Sequence, residues 1–109
     1  MKSAFVTTAF GLEGYRVVEN LGVVRGIIVR SRSIIGNVVA GLEAIFGGRI
    51  NVYTELCERT RQESFDLMRE HAMELGANAV IGMRYDANEV AAGITEVLCY
   101  GTAVKIEKI

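Results

Sequence analysis

Proline and tryptophan are missing from this chain, histidine occurs once, and cysteine occurs twice. Without proline there is no X-Pro bond to switch between cis and trans, and turns fall to the 12 glycines. With one histidine, any Ser-His-Asp or Cys-His arrangement must use His71. The two cysteines, Cys57 and Cys99, form no Cys-x-x-Cys pair, which argues against the dense disulfide framework of small secreted scaffolds. A basic excess is also lacking. Twelve Lys and Arg stand against 13 Asp and Glu, for a net charge of −1. A nucleic-acid binder needs a cationic footprint to neutralise phosphates, so no nucleic-acid partner is expected. No apolar run approaches the roughly 20 residues that span a bilayer. No membrane partner is therefore expected, and a soluble, cytoplasmic protein is the default. No Gly-x-Gly-x-x-Gly and no P-loop occurs.

What is present is apolar. Half of the 109 residues are hydrophobic, and the mean hydropathy is +0.28. The length fits a single domain, residues 1–109. So short a chain buries a smaller fraction of its surface than a long one does. The surplus of apolar residues therefore suggests burial against a second subunit.

The first residues, MKSAFVTTAFGLEGY, faintly resemble a signal peptide, but Thr7, Thr8 and Glu13 interrupt the run. A short first strand over 4–8 is expected instead, followed by a turn at Gly11 and Gly14. Residues 15–31 are rich in Val and Ile and interrupted by Gly22 and Gly26. They predict one long bent strand, or two short ones meeting near Asn20-Leu21-Gly22. Ser33 is placed to cap a helix over 34–46, with Ile34, Ile35, Val38, Val39, Leu42, Ile45 and Phe46 on one stripe. Its opposite face is small, and Gly47-Gly48 should end it. A longer helix follows, from about residue 51 or 52 to Leu75. Its expected buried stripe runs from Tyr53 through Cys57, Thr60, Ser64, Met68 and His71 to Leu75, and its outer face is charged. Gly76 sits where a left-handed residue closes a helix, and Asn78 can bond locally in that turn. Two strands complete the chain, 79–87 and 94–107, joined around 88–93. Ala79, Ile81, Met83 and Tyr85 should share one face of the first. Both faces of the second are apolar near its centre. With the helix on one side, Val97, Cys99, Gly101 and Ala103 on the other would need cover from another subunit.

Chemistry-bearing residues are few. His71 falls on or beside the apolar stripe, where a satisfied, partly buried imidazole is the simpler reading. Cys57 and His71 lie about 21 Å apart along one helix at 1.5 Å per residue, too far to share an ion. Cys57 and Cys99 could meet if the last strand runs beneath the helix. Two thiolates leave a metal site incomplete unless an oligomer repeats one of them about its axis. Cys57, Cys99 and His71 are thus the candidate metal ligands, no catalytic residue is assigned, and no cofactor beyond such an ion is expected. An enzymatic reading would need Arg61, Tyr53 or Tyr85 in a pocket between subunits.

Several segments carry a family resemblance. Tyr53-Thr54-Glu55-Leu56 begins the long helix, Arg61 follows, and Gly76-Ala77-Asn78-Ala79-Val80 leads into Arg84-Tyr85-Asp86 and a closing Tyr100-Gly101-Thr102-Ala103-Val104. With Thr7-Thr8 and the run GVVRGIIVRSRS, this pattern resembles the YbjQ-like family of small bacterial and archaeal proteins, along nearly the whole chain. The resemblance implies an α+β, dodecin-like β-α-β-β fold: an antiparallel sheet with a long helix on one face, plus a short extra helix. It implies ring-shaped homopentamers with the chain itself as partner. It also brings the family's label of heavy-metal-binding domain, though no family ligand residues carry over to Cys57 or Cys99. It implies no enzymatic activity.

Overall fold

The computed structural model describes residues 1, 2, 5–46 and 49–109, the side chains of 46 and 49–51 excepted. The Val- and Ile-rich run forms one strand, β1 (Tyr15–Ser31). Its pairing register slips between Val17 and Glu19 and again between Asn20 and Gly22. Gly22 has φ +101°, a left-handed value that glycine adopts without a Cβ penalty. The expected long bent strand is therefore the form observed.

Helix α1 (Arg32–Phe46) starts two residues earlier than expected. Its cap is Ser31, whose Oγ accepts a hydrogen bond from the Ile34 N–H at 3.3 Å. Ser33 instead pairs its hydroxyl with that of Ser31. Helix α2 (Arg49–Glu74) follows, and the stop expected at Gly47-Gly48 lies outside the described residues. Val39 and Leu42 of α1 pack on Val52 of α2, with Leu56 beside them. Ile34 and Ile45, expected on the buried stripe, are exposed.

The end of α2 follows the sequence reading. Gly76 takes φ +84°. Its N–H bonds the Met73 carbonyl, and the Ala77 N–H bonds the Ala72 carbonyl. This crossed pair satisfies two terminal carbonyls and turns the chain back toward the sheet. Asn78 does not bond within the turn. Its amide nitrogen donates to the Ile106 carbonyl at 3.0 Å, and its Oδ1 accepts from the Ile106 N–H at 2.8 Å. The side chain extends the sheet by one rung.

Strands β2 (Ala79–Ala91) and β3 (Ile94–Lys108) form a hairpin turning at Ala92-Gly93, tighter and farther along than expected. The sheet is antiparallel with order β1-β3-β2. The β2–β3 register shifts between Ile81 and Arg84. That bulge moves the side chains after it to the other face. Ala79 and Ile81 therefore lie on the face away from α2, and Tyr85 lies toward it; the single apolar face expected for all four is corrected. Residues 5–9 are not a strand. Val6 makes one isolated bridge to Val80. The carbonyls of Thr7 and Ala9 then accept from the Met83 and Gly82 N–H groups, covering the start of the β2 edge.

The main core lies between α2 and the sheet. Met68 and Ala72 pack on Val24, Val80, Cys99 and Ala103. The buried line on α2 runs Val52, Thr60, Ser64, Met68 and Ala72, while Tyr53, Cys57, Leu67 and Leu75 are exposed. The line is narrow because helix and strand touch closely at Gly26. A Cβ there would fall 2.0 Å from the Ser64 carbonyl oxygen and 2.6 Å from the Met68 nitrogen. One sequence expectation is reversed here. Cys99, Gly101 and Ala103 are buried on the α2 side of the sheet, so the chain itself covers that face. The face in need of cover is the opposite one.

Candidate functional site

The face of the sheet away from α2 is covered at one end only. Phe5, Leu12 and Tyr15 close over Ala79, Val104 and Ile106. Beyond that cap, cross-strand pairing sets Val23 beside Thr102, Arg25 beside Tyr100, Ile27 beside Leu98 and Val29 beside Glu96. Val23, Ile27 and Val29 are 67%, 41% and 51% exposed. The same strand is an edge of the sheet. Between Gly22 and Val29 it carries one charge, Arg25. Proteins usually blunt an open edge with charge or proline, and apart from Arg25 and the His71 ring that accepts its N–H this stretch has neither.

On the helix side, a half-open cavity of about 200 Å³ lies between α1, α2 and the hairpin end of the sheet. Its apolar wall is Ile35, Leu56, Ala87 and Val97. Thr60 also lines it, with its hydroxyl donated to the Leu56 carbonyl at 2.9 Å. Arg30, Arg61 and Thr95 supply the polar rim, and Cys57 lies on the α2 wall. Arg30 is ion-paired to Glu63 of α2. Arg61 lies over Tyr85, with its guanidinium carbon 5.4 Å from the ring centroid.

Arg61 and Tyr85, both named from the sequence, thus come together, but the candidate metal ligands Cys57, Cys99 and His71 do not. Cys57 is an exposed thiol at the cavity. Cys99 is buried in the main core, with its sulfur 3.6 Å from that of Met68. Burial pushes the Cys99 thiol up to about 11, although its hydrogen bond with Tyr85 pulls the other way. At neutral pH it stays protonated, a poor ligand and nucleophile. Burial also raises Tyr85, and Cys99 raises it further, while Arg61 lowers it. His71 sits toward the β1 edge, where its Nδ1 accepts the Arg25 N–H at 3.3 Å. It is a partly buried imidazole. Among the described residues no three of His, Cys, Asp and Glu are grouped to hold a metal ion. Tyr53 is 42% exposed and lies by the outer side of α1, away from Tyr85. The sequence reading missed Arg30 as a site residue. A signal was available: at alternating positions after Val24, Gly26 and Ile28, it is a cation on a face otherwise directed at the helix.

Residues 4–107 match the model of the YbjQ family, described as "Putative heavy-metal-binding". The chain belongs to the YbjQ family. Among its relatives, a UPF0145 protein of Chromobacterium violaceum is 63% identical over 109 residues, covering 100% of this chain and 93% of that protein. A UPF0145 protein of Solibacter usitatus is 61% identical over 102 residues, covering 94% and 91%. These designations name no reaction. A crystal structure from Pediococcus pentosaceus, of the DUF74 family, matches with a TM-score of 0.53 at 21% identity, over 97% of this chain and 100% of that one. That likeness concerns the fold. No helix among the described residues is long and apolar enough to cross a membrane.

Proposed function

We propose that this YbjQ-family chain is a non-enzymatic subunit of a homo-oligomer, in the ring-shaped pentameric form the family resemblance implies. Its partner is another copy of itself, with no nucleic acid or membrane involved. The supporting observation is excess surface. The radius of gyration is 16.5 Å, whereas a compact chain of this length has about 13 Å. The accessible surface is 6771 Å², against about 5,950 Å² for a typical monomer of this mass. The difference, about 800 Å², is what one partner contributes to a standard interface. It coincides with an edge strand that carries exposed Val23, Ile27 and Val29 on the sheet face away from α2. Two free thiols accord with a cytoplasmic setting.

Native mass spectrometry of untagged protein, purified without chelator, tests this reading. The expected result is a five-fold mass. Ile27→Glu adds a carboxylate beside Leu98 on the open face and should yield a folded monomer. A parent protein that is monomeric at micromolar concentration refutes the proposal. Ala103 lies beneath α2, so a charge there would test folding rather than assembly. A second reading, a metal or small-ligand site between subunits, draws on the exposed Cys57 thiol, which a ring would repeat about its axis. Integral metal increments on the oligomer mass would support it, and a bare mass would count against it.

A further inference from the structure

We propose that the cavity between α1, α2 and the β2–β3 hairpin binds a small organic anion: a single ring or compact branched body bearing one carboxylate. The site lies on the helix side of the sheet and does not depend on the assembly surface. Its size sets the body. A dry apolar cavity of about 150 Å³ accepts benzene, so about 200 Å³ holds a ring with one small substituent. Its wall sets the chemistry of that body. Ile35, Leu56, Ala87 and Val97 offer no hydrogen bonds from their side chains, and the Thr60 hydroxyl has already given its proton to the Leu56 carbonyl, so it cannot donate to a ligand.

The charge of the ligand follows from the rim. Arg61 holds its guanidinium carbon over the Tyr85 ring, 5.4 Å from the centroid. The guanidinium's planar fork of N–H donors fits a carboxylate with two parallel hydrogen bonds. Arg30 adds a second cation, shared with Glu63. A metal cation is disfavoured beside two guanidinium groups. A phosphate dianion would gain nothing from the apolar wall and would face Glu58 and Glu63, near Tyr85 and Arg30 respectively. A monocarboxylate with an apolar body uses both halves of the cavity.

Cys57 provides the readout, because it lies on the cavity wall and is exposed, whereas Cys99 is buried. The experiment measures the rate at which iodoacetamide alkylates Cys57 in the full-length protein, by peptide mass, with added benzoate. Benzoate should slow alkylation saturably, with a half-effect in the millimolar range expected for so small a ligand. Benzamide, which lacks the charge, and acetate, which lacks the ring, should not protect. Arg61→Gln should shift the half-effect at least about tenfold, the loss expected for a charge-assisted hydrogen bond. An unchanged rate with benzoate overturns the proposal. So does equal protection by benzamide or acetate. A Cys57 that is unreactive until the protein is dissociated would mean that a neighbouring subunit fills the cavity, and this too overturns it.

Discussion

Replacing Gly26 by alanine adds one methyl group at the point where β1 meets α2. The new Cβ would fall 2.0 Å from the Ser64 carbonyl oxygen, 2.6 Å from the Met68 nitrogen and 2.8 Å from the Leu67 Cβ. Carbon–oxygen contacts settle near 3.3 Å or beyond, so the helix must retreat by more than about 1 Å. Two of the three obstacles are backbone atoms in mid-helix, and no rotamer change moves them. Helix α2 would have to lift as a unit, loosening Met68 and Ala72 from Val24, Cys99 and Ala103. Overpacking of a core costs about 1–3 kcal/mol, and this case sits at the upper end. Against it stands the gain of about 0.5–1 kcal/mol from removing glycine from a strand interior. The net loss is about 2–2.5 kcal/mol, a fall in Tm of about 8–20 °C for a domain of this size. Thermal unfolding by circular dichroism, at one fixed protein concentration because assembly moves Tm, reads this directly. Gly36→Ala on α1 is the internal control. Nothing lies within 4 Å of its added Cβ, and it should raise stability by up to about 1 kcal/mol. A Gly26→Ala protein melting within about 3 °C of the parent would refute the close-contact account.

Two further outcomes follow from the same packing. Asn78→Ala strands both the N–H and the carbonyl of Ile106 and should cost about 1–3 kcal/mol, read as a lower urea midpoint at unchanged m; Asn78→Asp keeps only the acceptor and should fall between. Cys99 should resist alkylation at neutral pH while Cys57 reacts. Because its thiol is raised from 9.0 to about 11 in the folded chain, its share of stability is intact below pH 9 and declines as pH rises toward 11. Cys99→Ala should flatten that part of the curve, and an equally steep decline without the thiol would assign the effect elsewhere.

Local signals in the sequence were only partly reliable: Ser33 does not cap α1, and Asn78 bonds across to Ile106 rather than within its turn. Gly76 closes α2 as its position after Leu75 implies, because helix termination is decided within one turn. The charged outer face expected for α2 is observed, with Arg59 Nε donating to Glu55 Oε1 at 2.9 Å across one turn. The covered face of β3 could not be read from alternation, since both sets of side chains are apolar. Which set meets α2 depends on how β1 approaches the helix, through Gly26. The bulge at Gly82-Met83 defeated a simple two-residue period, though a glycine within a strand was its visible trace. The cavity was least legible. It depends on the angle at which α1 leaves β1, and no local pattern encodes that. Its cation Arg30 was nevertheless marked by an inward register.

The β1–β3 ladder pairs Tyr15 with Lys108 and Ser31 with Ile94, so every rung joins distant parts of the chain. The β2–β3 pairing, by contrast, closes across two residues. Loop-closure entropy favours the hairpin first, and pairing between remote strands is slow. The last strand to dock is then the first one synthesised, a long Val- and Ile-rich segment that must stay unpaired until the C-terminal residues exist. Refolding should show an early hairpin–helix phase and a slower one that a destabilised β1 lengthens. During that interval β1 can pair with any open strand of matching register, including that of another copy, so the kinetics of folding and the control of aggregation converge on this one element.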